Sequence, residues 1–196
     1  MTAALQQLRH ERRARGREMS RKAILEAARR VAAREGARNL SLRSVAAEAG
    51  FTPAALYVYF RDKDELMLAL ASDDLARLAQ VMRDARKTSG RGLTAAASAA
   101  LDLLANTETL AAASGAIAPE ANGSDVGRLF NGRMIAALTA LSDATGERAK
   151  SREDQADVVL MAAALAGLAI MVRGGRLEAL GFSADEVLSR LDERFG

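Results

Sequence analysis

Apolar residues recur along most of this 196-residue chain at the three- and four-residue spacing of an α-helix, which constrains its fold more than any other feature. One such face lies between residues 24 and 31, and another lies between 42 and 49. Aromatic residues make up 4% of the chain and there are 2 prolines, a composition that favours helices over sheets. The sequence therefore predicts an all-α protein.

Glycines and capping residues divide this pattern into segments. Ser20 is predicted to cap the first clear helix, Gly36 to end it in a left-handed conformation, and Gly50 to break the second after two turns. Thr52 is predicted to cap a third helix that lasts to about Phe60. Longer helices are then expected at about 62–86, 93–113, 127–143, 151–174 and 183–194, with a loop over 114–127.

The composition argues against several classes of chemistry. The chain has no cysteine and a single histidine, His10, in a charged N-terminal stretch. Thiolate chemistry, a histidine-based triad and a zinc site are not expected, so we predict no catalytic residue, no metal and no cofactor. Residues 1–18 do not resemble a signal peptide, and the longest apolar run, residues 158–172, is shorter than a membrane span. The expected compartment is the cytoplasm.

Positive charge is concentrated in the N-terminal third of the chain, residues 1–65. Residues 1–65 hold 14 Lys/Arg against 8 Asp/Glu, whereas residues 66–196 hold 14 against 17. A basic N-terminal part indicates a polyanionic partner such as nucleic acid. Helix-rich proteins also carry many arginines for other reasons, so charge alone leaves the partner open.

Residues 42–60 have the small residues and the glycine turn that are typical of a helix-turn-helix. Ala46 and Gly50 are small where two helices would cross, and glycine can take the positive φ that a tight turn needs. On the second helix, Leu56 and Phe60 share an inward face. The outward side then carries small or apolar residues flanked by phenols, namely Ala54, Ala55 and Val58 with Tyr57 and Tyr59.

This outward surface is suited to a DNA major groove. Small side chains let the backbone approach base edges, and Ala and Val can contact thymine methyl groups. Tyrosine hydroxyls can donate to phosphates on either side of the groove. The alternative is that Tyr57 and Tyr59 pack against neighbouring helices with their hydroxyls in water.

The segment LSLRSVAAEAGFTPAALYVYFRDKDEL, residues 40–66, resembles the DNA-binding signature of the tetracycline-repressor (TetR) family. The resemblance covers about residues 20–68 and implies a phosphate contact from Ser41 and a base contact from Arg43. It further implies groove or backbone contacts from Thr52, Pro53, Ala54, Ala55 and Tyr57, and phosphate contacts from Tyr59 and Lys63. Ala55 departs from the pattern, since Gly, Ser or Thr is common there.

The resemblance also implies a domain organisation. A basic arm, residues 1–19, would precede a three-helix helix-turn-helix domain, residues 20–65, and a helical ligand-binding and dimerisation domain, residues 66–196. The arm is longer than the family requires, and both a minor-groove contact and a solvated tail are compatible with it.

Residues 158–172 are apolar on all sides, so the helix they form must be covered on all sides. A partner subunit could supply the cover, as the resemblance implies, in an isologous contact shared with residues 183–194. A central core helix of a monomer is the alternative. The candidate dimer residues are Val158, Ala162, Ala166, Ala169, Val187 and Leu191.

The remaining helices would enclose a ligand cavity if the resemblance holds. The candidate lining residues are Leu103, Leu104, Phe130, Met134, Leu138, Met161 and Leu165, all of which would suit an ordinary core equally well.

The sequence thus predicts a homodimeric regulator, a repressor released from palindromic double-stranded operator DNA by an unknown small molecule. A regulator without a small inducer, a helical carrier that never binds DNA, and an enzyme remain as alternatives in decreasing order.

Overall fold

A computed structural model describes residues 2–88, 92–107, 109, 124–146 and 149–196 of the chain. The regular secondary structure of these residues is entirely helical, so the all-α prediction is confirmed. The chain divides into two compact units, Met1–Leu70 and Ala71–Gly196.

The first unit is built from helices α1 (Thr2–Glu35), α2 (Leu42–Ala49) and α3 (Pro53–Leu56), followed by the start of α4 (Lys63–Thr88). α1 packs against α2, and α2 packs against α3. The core between them consists of buried apolar side chains, namely Ile24, Ala27, Ala28, Val31, Val45, Ala46, Leu56 and Phe60.

α1 begins much earlier than predicted. Ser20 lies inside a helix that starts at Thr2, so the prediction that Ser20 caps the first helix is wrong. The stretch before it is rich in Arg, Glu and Ala, which favour helix, and no proline interrupts it. The predicted arm is therefore a helical extension of α1.

The second unit contains the rest of α4 and helices α5 (Gly92–Ala105), α6 (Asp125–Ala144), α7 (Arg152–Arg173), α8 (Arg176–Ala179) and α9 (Ala184–Phe195). α5 packs on α6, α7 and α9, and α7 also packs on α6, α8 and α9. Residues 114–123 of the predicted loop lie outside the described residues.

Most of the predicted helix ends are confirmed. Gly36 has φ +82° after the last turn of α1. Ser151 with Asp154, and Ser183 with Glu186, form reciprocal capping boxes at the starts of α7 and α9.

α7 is long and apolar enough, by length and composition, to cross a membrane, although the apolar run within it had been expected to be too short. Only 28% of its most apolar window is buried within the chain. Helix length does not distinguish a membrane span from a subunit interface, and the described residues of this chain leave most of the apolar surface of α7 exposed.

Candidate nucleic-acid interface

The start of α2 is held by a pair of serines. The Ser44 N–H donates to Ser41 Oγ at 3.1 Å, and the Ser41 N–H donates to Ser44 Oγ at 3.2 Å. The Ser41 hydroxyl also lies 3.0 Å from Ser44 Oγ. Ser41 is exposed, but its hydroxyl is already used within the chain to begin the helix.

Gly50 makes the turn between α2 and α3. Its φ is +72°, and the Phe51 N–H donates back to the Ala46 carbonyl at 2.9 Å, which closes the end of α2. A Cβ at position 50 would meet no atom within 4 Å. Gly50 is thus needed for its backbone conformation rather than for space, whereas the fully buried Ala46 lies where close packing was expected.

α3 is shorter than predicted. Thr52 caps it as expected, because its Oγ1 accepts from the Ala55 N–H at 3.2 Å, and Pro53 occupies the first helical position. The α-helix ends after Leu56 instead of reaching Phe60, and the Tyr59 N–H turns back to the Leu56 carbonyl at 2.9 Å. Aromatic and β-branched residues at 57–59 have low helix propensity, which favours this tighter turn.

The inward and outward faces of this segment agree with the predicted orientation. Leu56 and Phe60 are fully buried, while Tyr57 and Val58 are 58% and 65% exposed. The N-terminal residues of the segment are also exposed, namely Thr52, Pro53 and Ala54. We refer to residues 52–59 as the reading segment.

Two members of the reading segment lie less far outward. Ala55 and Tyr59 are half-buried. The Tyr59 ring meets the Phe51 ring edge to face, with 6.2 Å between centroids and 76° between planes. Tyr59 therefore has a packing role besides any contact with a partner.

Lys63 and Arg43 differ in how they are held. Lys63 Nζ donates to the Arg38 carbonyl at 2.6 Å, which ties the start of α4 to the turn after α1. An ammonium has three donors, so this bond leaves capacity for a phosphate. Arg43 is exposed in the first turn of α2.

An ion-pair cluster that sequence reasoning missed joins α1 to α2. Glu48 accepts from Arg30 Nε at 2.7 Å and from Arg34 at 3.0 Å. These two hydrogen bonds hold the pKa of Glu48 below its ordinary value. The four-residue spacing of Arg30 and Arg34 was the available signal, but their acidic partner is 14 residues further along the chain.

A cavity of about 580 Å³ lies within the second unit, among α4, α5, α6 and α7. Five of the seven predicted residues line it, namely Leu104, Phe130, Met134, Leu138 and Leu165. Leu103 and Met161 do not, because Leu103 is half-buried elsewhere and Met161 faces a smaller depression near the C-terminus.

The lining is almost wholly apolar. Among the described residues that line the cavity, the polar ones are Thr107 and Arg173, and an Arg173 nitrogen donates to the Thr107 carbonyl at 3.5 Å. Sequence reasoning missed Arg173, which lies at the end of α7 and is distant in the chain from the other lining residues.

The four predicted dimer residues of α7 lie within about 80° of one another on the helix, and three of them, Ala162, Ala166 and Ala169, line the cavity. Val158, Ala169 and Leu191 are buried within the unit, and their assignment to the dimer interface stays a prediction. They lie on the sides of α7 and α9 that pack into the bundle. Ala166 is exposed, and Ala162 and Val187 are half-buried.

The outer side of α7 instead presents Leu160, Ala164 and Gly167, which lie at helical spacing and are exposed. Exposed apolar side chains continue onto α6 at Ile135, beside an open depression of about 950 Å³. Within the described ranges, no three side chains cluster as a metal site would require.

A short helix, a glycine turn and a second element whose small outward residues are exposed define a helix-turn-helix DNA-binding protein. Residues 24–70 match the family model of the bacterial regulatory proteins of the tetR family. Over this segment the chain is similar to the DNA-binding domain of TetR-family transcriptional regulators.

Solved structures agree with the fold. A protein of unknown function from Rhodococcus sp. RHA1 is 25% identical, with a TM-score of 0.67 over 90% of this chain and 93% of that one. A TetR regulator from the same organism is 20% identical, with a TM-score of 0.63 over 91% and 96%. The regulator FadR from Bacillus subtilis, in complex with stearoyl-CoA, is 17% identical, with a TM-score of 0.59 over 88% and 95%.

Proposed function

We propose that this regulator binds a palindromic operator as a homodimer and that a small molecule bound in the second unit releases it. The observation that carries the proposal is the reading segment beside the Gly50 turn. Its exposed surface is largely uncharged and has side-chain hydroxyl groups at its edges. A solvent-facing segment shaped by folding alone would favour charged side chains there.

The proposed DNA contacts follow from exposure and chemistry. The reading segment enters the major groove, where Pro53 and Ala54 approach base edges and Ala55 leaves space. Tyr57, Tyr59, Ser41 and Lys63 donate to phosphates, and Arg43 reaches a base or the backbone. Tyr57 is the strongest of these candidates because its ring is exposed, whereas Ser41, Tyr59 and Lys63 also have partners within the chain.

The proposed dimer uses the exposed side of α7. Leu160, Ala164 and Gly167 are small or apolar and lie at helical spacing on a helix whose apolar surface is mostly uncovered. Small residues let two helices approach closely, and a twofold axis would cover both copies with the same residues. Ala162 and Ala166 lie on the opposite side of α7, where they line the cavity, and Val187 is half-buried on α9.

The proposed ligand has an apolar body and an anionic group. The cavity volume of about 580 Å³ falls within the range of small-molecule sites, roughly 300–1,000 Å³. Arg173 offers a guanidinium at one end of an otherwise apolar lining. Leu75, Leu78 and Met82 of α4 also line the cavity. α4 begins in the first unit, which we call the DNA-binding unit because it contains the reading segment. A ligand that favours one position of α4 would therefore change the affinity for DNA.

The cavity favours a ligand-responsive regulator over one that acts without an inducer. A carrier that never binds DNA would leave the exposed Tyr57 without a role. Because DNA binding places the protein with the chromosome, we also propose that it works in the cytoplasm. We propose a regulatory role without enzymatic activity.

The test of this function is selection of binding sites from a random-sequence duplex library by the full chain, followed by footprinting. We expect an inverted repeat whose half-sites lie about one helical turn or a multiple apart, roughly 34–36 Å. Failure to enrich any sequence, at low salt and with the protein folded, would contradict DNA-sequence recognition. Enrichment of an unrepeated site would contradict the dimer.

A further inference from the structure

We propose that the N-terminal extension of α1, residues 2–20, is a second DNA-binding element that contacts backbone phosphates beside the base pairs met by the reading segment. This inference rests on the proposed function, because it concerns how the same duplex is held. It assigns a role to a segment that the three-helix domain does not require.

The extension is strongly basic and has no core of its own. Residues 2–22 contain seven Lys/Arg against Glu11 and Glu18. Every side chain from residue 10 to residue 19 is exposed, and Ala14 is the single apolar residue between 9 and 18 apart from Gly16. Residues 10–18 therefore form no apolar face that could pack on a core, and an isolated helix of this length is marginal in water.

The charges are also arranged by face. At 100° per residue, Glu11 and Glu18 fall on one side of the helix. Arg12, Arg13 and Arg17 lie away from these glutamates, whereas Arg15 lies on their side, four residues after Glu11 and three before Glu18. The extension therefore presents a broad cationic surface to one side rather than alternating charge.

One stripe of α1 changes from apolar to cationic where the helix leaves the core. Ile24 and Ala28 lie on this stripe and are fully buried. Arg21 and Arg17 continue it at the preceding turns, and Arg13 follows four residues before. The side that packs into the DNA-binding unit is thus the side that carries arginines beyond it.

The Arg21 contact places this stripe beside the reading segment. The Arg21 guanidinium lies over the Phe60 ring, 4.7 Å from its centroid. Phe60 is buried and comes two residues after the exposed Val58 in the chain. The basic stripe consequently leaves the folded unit next to the surface that we assign to DNA.

The length and chemistry fit a duplex backbone. Nineteen helical residues span about 28 Å at 1.5 Å each, and DNA presents a phosphate charge about every 1.7 Å along its axis. A membrane surface is a poorer match, since an interfacial helix needs an apolar face that residues 9–18 do not offer.

The experiment compares two variants of the full chain in which four cations are replaced by glutamine. The test variant replaces Arg12, Arg13, Arg15 and Arg17. The matched control replaces four exposed cations of the second unit, Lys87, Arg133, Lys150 and Arg176. Both change the net charge equally, and glutamine has a helix propensity close to that of arginine and lysine.

Affinity is measured from 50 to 200 mM salt on the duplex recovered by selection, with either no flanks or about two helical turns of flanking DNA on each side. We expect the test variant to lose up to about 0.9 from the slope of log affinity against log salt for each contact removed, which is about 3.5-fold per contact over this salt range. We also expect flanking DNA to strengthen wild-type and control binding but not test-variant binding.

Equal slopes and equal flank dependence in the two variants would overturn the role of the extension while leaving sequence recognition intact. Loss of the preferred sequence in the test variant, rather than of general affinity, would also overturn it, since phosphate contacts carry no sequence information. If wild type selects no duplex at all, the proposed function fails first and the role of the extension fails with it.

Discussion

Tyr57 is the residue on which the assignment of the DNA surface most depends. Its ring is more than half exposed, and it follows the end of a short helix whose inner side chains, Leu56 and Phe60, are fully buried. Folding therefore does not require a phenol at this position, whereas phosphate recognition can use its hydroxyl.

Tyr57→Phe should weaken binding to the selected duplex about five- to tenfold, which corresponds to the loss of one hydrogen bond worth about 1–1.5 kcal/mol. The urea midpoint of unfolding should not change, because the side chain is exposed. Fluorescence anisotropy titrations at fixed salt would measure the affinity. Wild-type affinity in the variant would remove Tyr57 from the interface.

Glu48 makes the stability of the DNA-binding unit depend on pH. Hydrogen bonds from Arg30 and Arg34 hold the pKa of its carboxyl below the ordinary value. A lowered folded-state pKa means that its contribution is present above the unfolded pKa, about 4.3, and is lost as pH falls through the folded value. Because the pair is exposed, the contribution is modest.

The free energy of unfolding should therefore fall more steeply below about pH 4.5 in wild type than in Glu48→Gln. Glu26→Gln, a substitution of an exposed glutamate on α1, serves as the control and should keep the wild-type slope. Urea denaturation between pH 3 and 7 would measure the difference. Parallel curves for wild type and Glu48→Gln would contradict the role of the cluster.

At the scale of elements, the turn between α2 and α3 sets the reading segment in place. Three hydrogen bonds define this turn. The carbonyls of Ala46 and Ala47 accept from backbone N–H groups of the turn, and Thr52 Oγ1 caps the next helix. Gly50 is the point at which a side chain would be strained, since its φ is +72°.

Gly50→Ala should destabilise the chain by about 1–2 kcal/mol, the cost of the left-handed conformation for a residue with a Cβ. The same change at Gly16, which lies inside α1 with nothing within 4 Å of a new Cβ, should instead stabilise it by up to about 1 kcal/mol. Urea denaturation would measure both. Equal effects at the two sites would show that dihedral strain does not act at the turn.

At the scale of the whole molecule, the exposed side of α7 is an apolar surface that the described part of the chain does not cover. Most of its apolar window is exposed, and a new Cβ at Gly167 would meet open space within the subunit. A bulky residue there would leave the monomer unchanged but would keep a second helix from approaching.

Gly167→Leu should weaken dimerisation by about 5- to 150-fold, equivalent to the 1–3 kcal/mol of an overpacked contact. Gly132→Leu is the matched control, because Gly132 is also helical, exposed and without neighbours within 4 Å. Sedimentation velocity over a dilution series would measure the dimer. If the Gly167→Leu variant dimerises as tightly as the control, the interface lies elsewhere. Partition of the wild-type protein into lipid vesicles would indicate instead that α7 contacts a membrane.

The cavity of the second unit should bind an apolar anion through Arg173. With anilinonaphthalene sulfonate as the probe, Arg173→Gln should weaken binding about tenfold, in line with loss of a charge-assisted hydrogen bond. Arg176→Gln, three residues further on and outside the cavity lining, should bind as wild type does. Fluorescence titration would measure both, and equal loss in the two variants would show that the cation in the cavity does not select the ligand.

Much of the DNA-binding unit could be predicted from the sequence because its signals are local. The positive φ of Gly50, the Thr52 cap and the inward face of Leu56 and Phe60 each depend on residues within about five positions of one another. The start of α1 was predicted wrongly because Ser20 resembles a cap although the residues before it continue the helix.

The sequence by itself determined where most helices begin and end and that Leu56 and Phe60 face inward, since caps, turns and periodicity act over one or two turns of chain. Only the tertiary structure decided which side of α7 is buried, because a helix that is apolar all round carries no periodic signal of its orientation. It likewise decided that Arg173 joins the cavity and that Arg30 and Arg34 share Glu48, since these contacts join residues distant in the chain through the packing of whole helices.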